Sequence, residues 1–283
     1  LERFPHSPTV VREAMRHLHY ANYNASGVDK LAPVRVADEL MAARRQAVLF
    51  VDGEARARWL DGKMKDRSLA AFLSQLEALA QRTPVEDRLL VDGLTRLSEF
   101  ERASAPADRL SEAYPGDGEL ALQALRLHRS LNPLDPSQAV AARAVVERSA
   151  PGVADATPLF TELGELEQER GHGPAAVADW QRLLEREPRS PQRIEELATL
   201  LWDYGYMREA LKVVEDGRAR LGQPWLLAFE AGVLREELGD LDGAVDEYLA
   251  SARPNREACF CDWFEADQRA LRRLSQLAAR DGS

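Results

Sequence analysis

The sequence is poor in cysteine, holding only Cys259 and Cys261 in 283 residues. The two stand two apart, where side chains on a helix point in nearly opposite directions. No disulfide framework is expected, the pair reads as two small, partly buried side chains, and Cys-x-Cys alone is too short to specify zinc. No apolar run is long enough to span a bilayer, and no basic-then-apolar leader is present. The first residue is Leu rather than Met, as expected of a fragment or a processed form, which leaves a removed signal or anchor open. On these grounds a soluble chain is expected, with a cytoplasmic setting slightly favoured and an exported or anchored form still open. Positive charge is not in excess either: the net charge is −10, which argues against non-specific nucleic-acid binding.

Catalytic signatures are missing too. There is no phosphate-binding loop, no Gly-x-Ser-x-Gly turn and no His-Glu-x-x-His pair. The five histidines, His6, His17, His19, His128 and His172, are scattered. His17 and His19 are wrongly spaced for one helical face, and Glu13 with His17 is the nearest four-apart pair, so an exposed helix face is expected there rather than a metal site. Acid pairs such as Glu195-Glu196 and Glu236-Glu237 read as solvated helix surface rather than acid/base machinery. No catalytic residue, metal or cofactor is expected.

What the sequence does contain is ordinary globular stock, 45% hydrophobic and 30% charged, so disorder of the whole chain is not expected. The charge is unevenly placed. Residues 1–156 hold 22 acids and 21 Lys or Arg, a net −1, whereas 157–283 hold 25 and 16, a net −9.

The acidic half repeats every 34 residues. Gly171, Gly205 and Gly239 fall at that interval, as do Ala176, Ala210 and Ala244. Leu163, Leu197 and Ala231 keep the same step, and so do Trp180, Val214 and Tyr248. A period of this length marks a helix–turn–helix repeat. The glycine suits a sharp left-handed turn after a first helix. The alanine lies early in a second helix, where two helices approach closely. The bulky residue one helical turn later fills the space between hairpins. Pro188 closes one unit, and Pro191 can open the next helix.

These residues resemble the tetratricopeptide repeat family. The match is clear over 157–254, in units at 157–190, 191–224 and 225–254. The first unit, TPLFTELGELEQERGHGPAAVADWQRLLEREPRS, carries Leu163-Gly164, Gly171, Ala176, Trp180 and Pro188 together. The second departs with Val214 for an aromatic residue and Gly222 for a closing Pro, and the third keeps Gly239, Ala244 and Tyr248. The resemblance implies an all-α fold, a right-handed α-solenoid of helical hairpins.

Upstream, divergent hairpins are expected over 84–156. One unit at 118–156 has an inner loop NPLDPS and closes at Pro151. Another at 84–117 keeps Leu90, Leu94, Leu97, Ala103, Leu110 and Pro115, with Pro106 expected to shorten its second helix. Residues 1–83 read as a helical N-terminal region, with degenerate repeats an open alternative. Its helices are expected in SPTVVREAMRHLHYANY, APVRVADELMAARRQAVLF and RSLAAFLSQLEALAQR, the last with a stripe of Leu69, Leu73, Leu76 and Leu79. AVLFVDG reads as a helix end rather than a strand. Residues 255–283 are expected to form a capping helix with a frayed tail. There, Trp263, Phe264, Leu271, Leu274 and Leu277 would cover the last hairpin, while Arg272, Arg273 and Arg280 would face water.

In the tetratricopeptide family the first helices of successive hairpins line a concave groove where ligands lie. Carried over by position, the unit at 157 offers Thr161, Glu162, Glu165, Gln168 and Glu169. The next offers Glu195, Glu196, Thr199, Trp202 and Asp203, and the third Phe229, Glu230, Val233, Glu236 and Glu237. The upstream units offer Leu122, Gln123, Arg126 and Arg129, and Arg88, Asp92 and Arg96. Such a groove would be basic toward the N-terminal half and acidic toward the C-terminal half, with Trp202 and Phe229 as apolar anchors. Glu and Thr stand where some family members carry the Lys, Arg and Asn that grip a peptide carboxylate, so a basic or mixed aliphatic-basic segment of another protein fits better. The expected function is a non-catalytic protein-interaction scaffold. A structural subunit of a larger assembly, or the repeat portion of a larger enzyme whose catalytic part lies upstream, are the alternatives.

Overall fold

The computed structural model describes residues 53–65, 67–252 and 260–281. Three expected features lie outside them: the first two N-terminal helices, AVLFVDG up to Asp52, and the surroundings of His6, His17, His19 and Cys259. The described residues form thirteen α-helices and no strand. Clustering of the backbone gives two compact units, Leu1–Arg170 and Gly171–Ser283. The boundary falls within the 157–190 repeat, after its first helix.

In the first unit the helices are α1 (Gly53–Lys65), α2 (Leu69–Glu77), α3 (Pro84–Arg96), α4 (Phe100–Ala113), α5 (Gly118–Leu131), α6 (Pro136–Ser149) and α7 (Thr157–Glu169). Each packs on its chain neighbour up to α7. In addition α1 lies on α3, α4 on α6, and α5 on α7. The second unit holds α8 (Gly173–Gln181), continued by a 3-10 turn at Arg182–Leu184, and then α9 (Pro191–Asp203) and α10 (Met207–Leu221). It ends with α11 (Ala228–Glu237), α12 (Leu241–Ser251) and α13 (Phe260–Asp281). Here α8 packs on α9, α9 on α10, α10 on α11 and α11 on α12, while α13 rests on α11 and α12.

Helix starts follow local chemistry. Thr83 caps α3 in a reciprocal box: its hydroxyl accepts from the Glu86 N–H at 3.3 Å, and the Glu86 carboxylate accepts from the Thr83 N–H at 2.6 Å. Asp117, Asp135, Ser190 and Asp240 cap α5, α6, α9 and α12 through their side-chain oxygens. Pro84, Pro136 and Pro191 sit at first helical positions, where no N–H is needed.

The 34-residue period is a period of burial. Leu163, Leu197, Ala231, Ala176, Ala210, Ala244, Trp180, Val214 and Tyr248 are all wholly buried. Gly171, Gly205 and Gly239 adopt φ of +76°, +82° and +82°, the left-handed conformation in which a Cβ would be strained. At Gly232 the reason is proximity, since a Cβ there would stand 2.5 Å from the Tyr248 ring.

One turn recurs where the sequence period is faint. After α9 and α11 the N–H groups of Tyr206 and Asp240 donate five residues back, to Leu201 and Arg235. After α1 and α3, Ser68 and Glu99 do the same, to Lys63 and Leu94. The left-handed residue in these earlier turns is Arg67 (φ 58°) or Ser98 (φ 59°), not glycine.

Several expectations need correcting. α1 falls within the helical N-terminal region but outside the three helices expected there. Leu69, Leu73 and Leu76 are buried, but α2 ends at Glu77, so Leu79 lies past the helix and is exposed. Pro106 does not shorten α4, which runs through it to Ala113; its ring is buried in the helix's apolar face. On α13, Leu271 is exposed, and Arg273, still about one-third exposed, also reaches Glu236. Leu277 is buried and Leu274 partly so, as expected of a covering helix. The side chains of Trp263, Phe264, Cys261 and Arg280 lie outside the described set.

Candidate interaction surface

In the first unit, side chains from α1, α3, α5 and α7 form a polar ladder. The Arg56 Nε donates to Asp92 at 2.7 Å, and the Gln123 amide donates to the same carboxylate at 2.8 Å. Arg96 pairs with Asp61 at 2.6 Å. Arg88 is only 3% exposed and pairs with Glu119 at 2.6 Å. Burial, and then the neighbouring Arg56, hold its guanidinium below the usual arginine range. Arg88 therefore lies beneath the surface rather than facing a ligand.

Further along the ladder Arg126 reaches Glu162 at 3.0 Å. Arg129 gathers three carboxylates of α7: Glu162 at 2.7 Å, Glu165, and Glu169 at 2.5 Å. These bonds, Glu169 foremost, raise the Arg129 pKa well above its ordinary value. Five of the expected groove residues, Arg126, Arg129, Glu162, Glu165 and Glu169, are thus brought together, two arginines pairing with three glutamates.

The same register positions look different in the second unit. Glu195, Thr199, Trp202 and Asp203 on α9 stand 34 residues before Phe229, Val233, Glu236 and Glu237 on α11. On α11 part of the stripe is covered by α13. Phe229 and Val233 pack against Ala244, Tyr248, Ala270 and Leu277, joined by Leu274. The Arg269 guanidinium lies 4.6 Å from the centre of the Phe229 ring, within cation–π range. Arg273 grips Glu236 with two bonds, 2.8 and 2.9 Å. The Tyr248 hydroxyl donates to Glu236 at 3.1 Å, and burial pushes that phenol up to about 12.

On α9 the stripe is open. Glu195, Thr199 and Asp203 are exposed, and Trp202 is half-buried. Among the described residues, neither Glu195 nor Asp203 has an ion pair, and on α11 neither Glu230 nor Glu237 has one. Glu196 pairs only with Arg193 of its own helix, at 2.7 Å. α9 and α11 do not pack on each other; each leans on α10.

Sequence reasoning missed Arg56, Asp61 and Glu119 as partners in the ladder, and Arg269, Arg273 and Tyr248 over α11. A usable signal for the last group was present: α13 carries Ala270, Leu274 and Leu277 on one stripe with Arg269 and Arg273 beside it.

One buried titratable group stands apart from both stripes. His128 on α5 is bonded at 2.9 Å to Gln138 on α6 and at 2.9 Å to Asp108 on α4. Burial lowers its pKa, but the bonds to Asp108 and Gln138 outweigh this and hold it above the ordinary value. Among the described residues no group of three or more His, Cys, Asp and Glu side chains is placed to hold a metal ion. No helix among them is long and apolar enough to cross a membrane. In comparisons with known proteins, the chain matches no family model and no curated sequence.

Proposed function

We propose that this protein is a non-catalytic interaction scaffold whose hairpins stack as in the tetratricopeptide family, in a right-handed solenoid. The second unit holds a basic or mixed aliphatic-basic segment of another protein on its first-helix face. The observation that carries this reading is the setting of Trp202: an aromatic side chain partly open to solvent, on the same helix as Glu195 and Asp203, which no cation of the described residues neutralises. An aromatic anchor beside unpaired charge of one sign suits a partner of the opposite sign. The other charged stripe, in the first unit, is paired within itself and suits cohesion better than recognition.

The test is affinity capture followed by measured binding of the captured partner. The interaction should weaken with rising salt and fall by more than about tenfold in a Trp202→Ala, Glu196→Lys, Glu230→Lys triple variant. Unchanged binding by that variant would remove the face from consideration.

A further inference from the structure

The nature of the segment can be taken further, on the footing of the function just proposed, because the chain contains a worked example of what its first-helix stripe accepts. α13 rests on α12 and α11, and its contact with α11 runs through two arginines. Arg269 lies over the aromatic ring, and Arg273, one helical turn on, takes the carboxylate in a two-bond grip. Ala270, Leu274 and Leu277, spaced four and three apart on the adjoining stripe, supply the apolar contact. The covered positions on α11 are Phe229, Val233 and Glu236: an aromatic residue and an acid two turns apart with a smaller side chain between.

The equivalent positions on α9 are Glu195, Thr199 and Trp202. They place an acid and an aromatic residue two turns apart in the reverse order, Glu195 where Phe229 stands and Trp202 where Glu236 stands, with a smaller residue between, and Asp203 adds a second carboxylate. The indole offers a better cation–π face than phenylalanine. Nothing among the described residues covers this stripe, where Glu195, Thr199 and Asp203 are exposed. Arginine suits the site better than lysine, because a planar guanidinium both stacks on a ring and grips a carboxylate with two parallel bonds.

We propose that the occupant of the α9 face is an amphipathic helix of a partner protein bearing two arginines one turn apart, with apolar residues next to each, one arginine on Trp202 and the other on Glu195 or Asp203, so that it runs opposite to the direction of α13 on α11. Arg269 and Arg273 are themselves engaged on α11, so the helix proposed for α9 is one of another protein.

The probe is a synthetic peptide of residues 266–281, labelled and titrated by anisotropy into the full chain. Three further peptides accompany it: one with both arginine positions 269 and 273 changed to lysine, one with them changed to glutamine, and one of unchanged charge broken by a central proline. The parent peptide should bind, with at least tenfold loss on Trp202→Ala and in a Glu195→Gln, Asp203→Asn variant, and little change on Glu236→Gln. The lysine peptide should bind more weakly, and the glutamine and proline peptides weakest. If the broken peptide binds as tightly as the parent and with the same dependence on Trp202, the helical occupant is wrong while the basic-segment function stands. If the lysine peptide equals the parent, the arginine requirement is wrong. If binding depends on Glu236 and not on Trp202, the peptide is displacing α13 and the α9 site is wrong. If no basic peptide depends on Trp202, the function proposed above falls with it. Folding of each variant is checked by its unfolding midpoint, so a lost fold is not read as lost binding.

Discussion

Two stretches of the chain carry charged residues at matching places on their first helices and use them differently. In the first unit α5 brings arginines against the glutamates of α7, and Arg129 alone holds three of them. In the second unit α9 has no such counterpart. Its Glu195 and Asp203 stay unpaired among the described residues, and the next first helix, α11, is covered through Arg273 on Glu236 instead. The contrast is one of pairing and not of net charge: Arg126 and Arg129 lie in the near-neutral stretch 1–156, yet the glutamates they hold belong to the acidic stretch 157–283. Net charge alone would have suggested a gradient along one groove. Pairing shows which charges are still available to a partner.

The largest expected effect breaks the self-paired side. Replacing Arg129 with Ala leaves Glu165 and Glu169 without their shared cation and only Arg126 on Glu162, which is largely buried. The cost should be about 2–3 kcal/mol, read as a lower urea midpoint, and the loss should shrink when Glu165 and Glu169 are changed to Gln in the same chain.

Next in size is the turn comparison. Ser98 and Arg67 hold the left-handed position that Gly205 and Gly239 hold in the second unit. Ser98→Gly should stabilise by about 1 kcal/mol, and Gly205→Ser should destabilise by about as much. Chemical denaturation of both variants checks the pair. Smaller still, Glu195→Gln or Asp203→Asn on α9 should move stability by no more than about 0.5 kcal/mol, the mark of residues that hold nothing within the fold.

The finest distinction is in pH. His128 is buried in the first unit, whereas His172 in the second is exposed. The folded pKa of His128 lies above the ordinary 6.5, so its contribution is complete below that value and is lost as pH rises through the folded pKa. Hydrogen exchange should therefore quicken in α4–α6 on the alkaline side of neutrality more than base catalysis of exchange alone explains, and His128→Asn should remove that excess. An equal excess in the second unit would place the titrating group elsewhere.

Much of the helical fold was legible because glycine, alanine and bulky residues recur where geometry demands them. Gly205 and Gly239 sit at φ +82°, and the alanines and Trp180 are buried at the same step. Legibility faded upstream because the same turn is built on Ser98 and Arg67, which no glycine pattern can reveal, and α1 was not singled out for the same reason. The charged stripes were legible as positions but not as partners. A helix period shows that Arg129 and Glu165 lie on first-helix faces; it does not show that one holds the other, since that depends on how far two helices stand apart. The covering of Phe229 and Val233 by α13 was hidden likewise, although the arginine-flanked apolar stripe of α13 was there to be read.

The most direct test is hydrogen exchange of the full chain with and without a saturating concentration of the 266–281 peptide. Protection should appear over α9, residues 191–203, and not over α5 or α7, where the charges are already paired. Protection confined to α5 and α7, or none over α9 in a chain that binds the peptide, would contradict the division of labour between the two stripes.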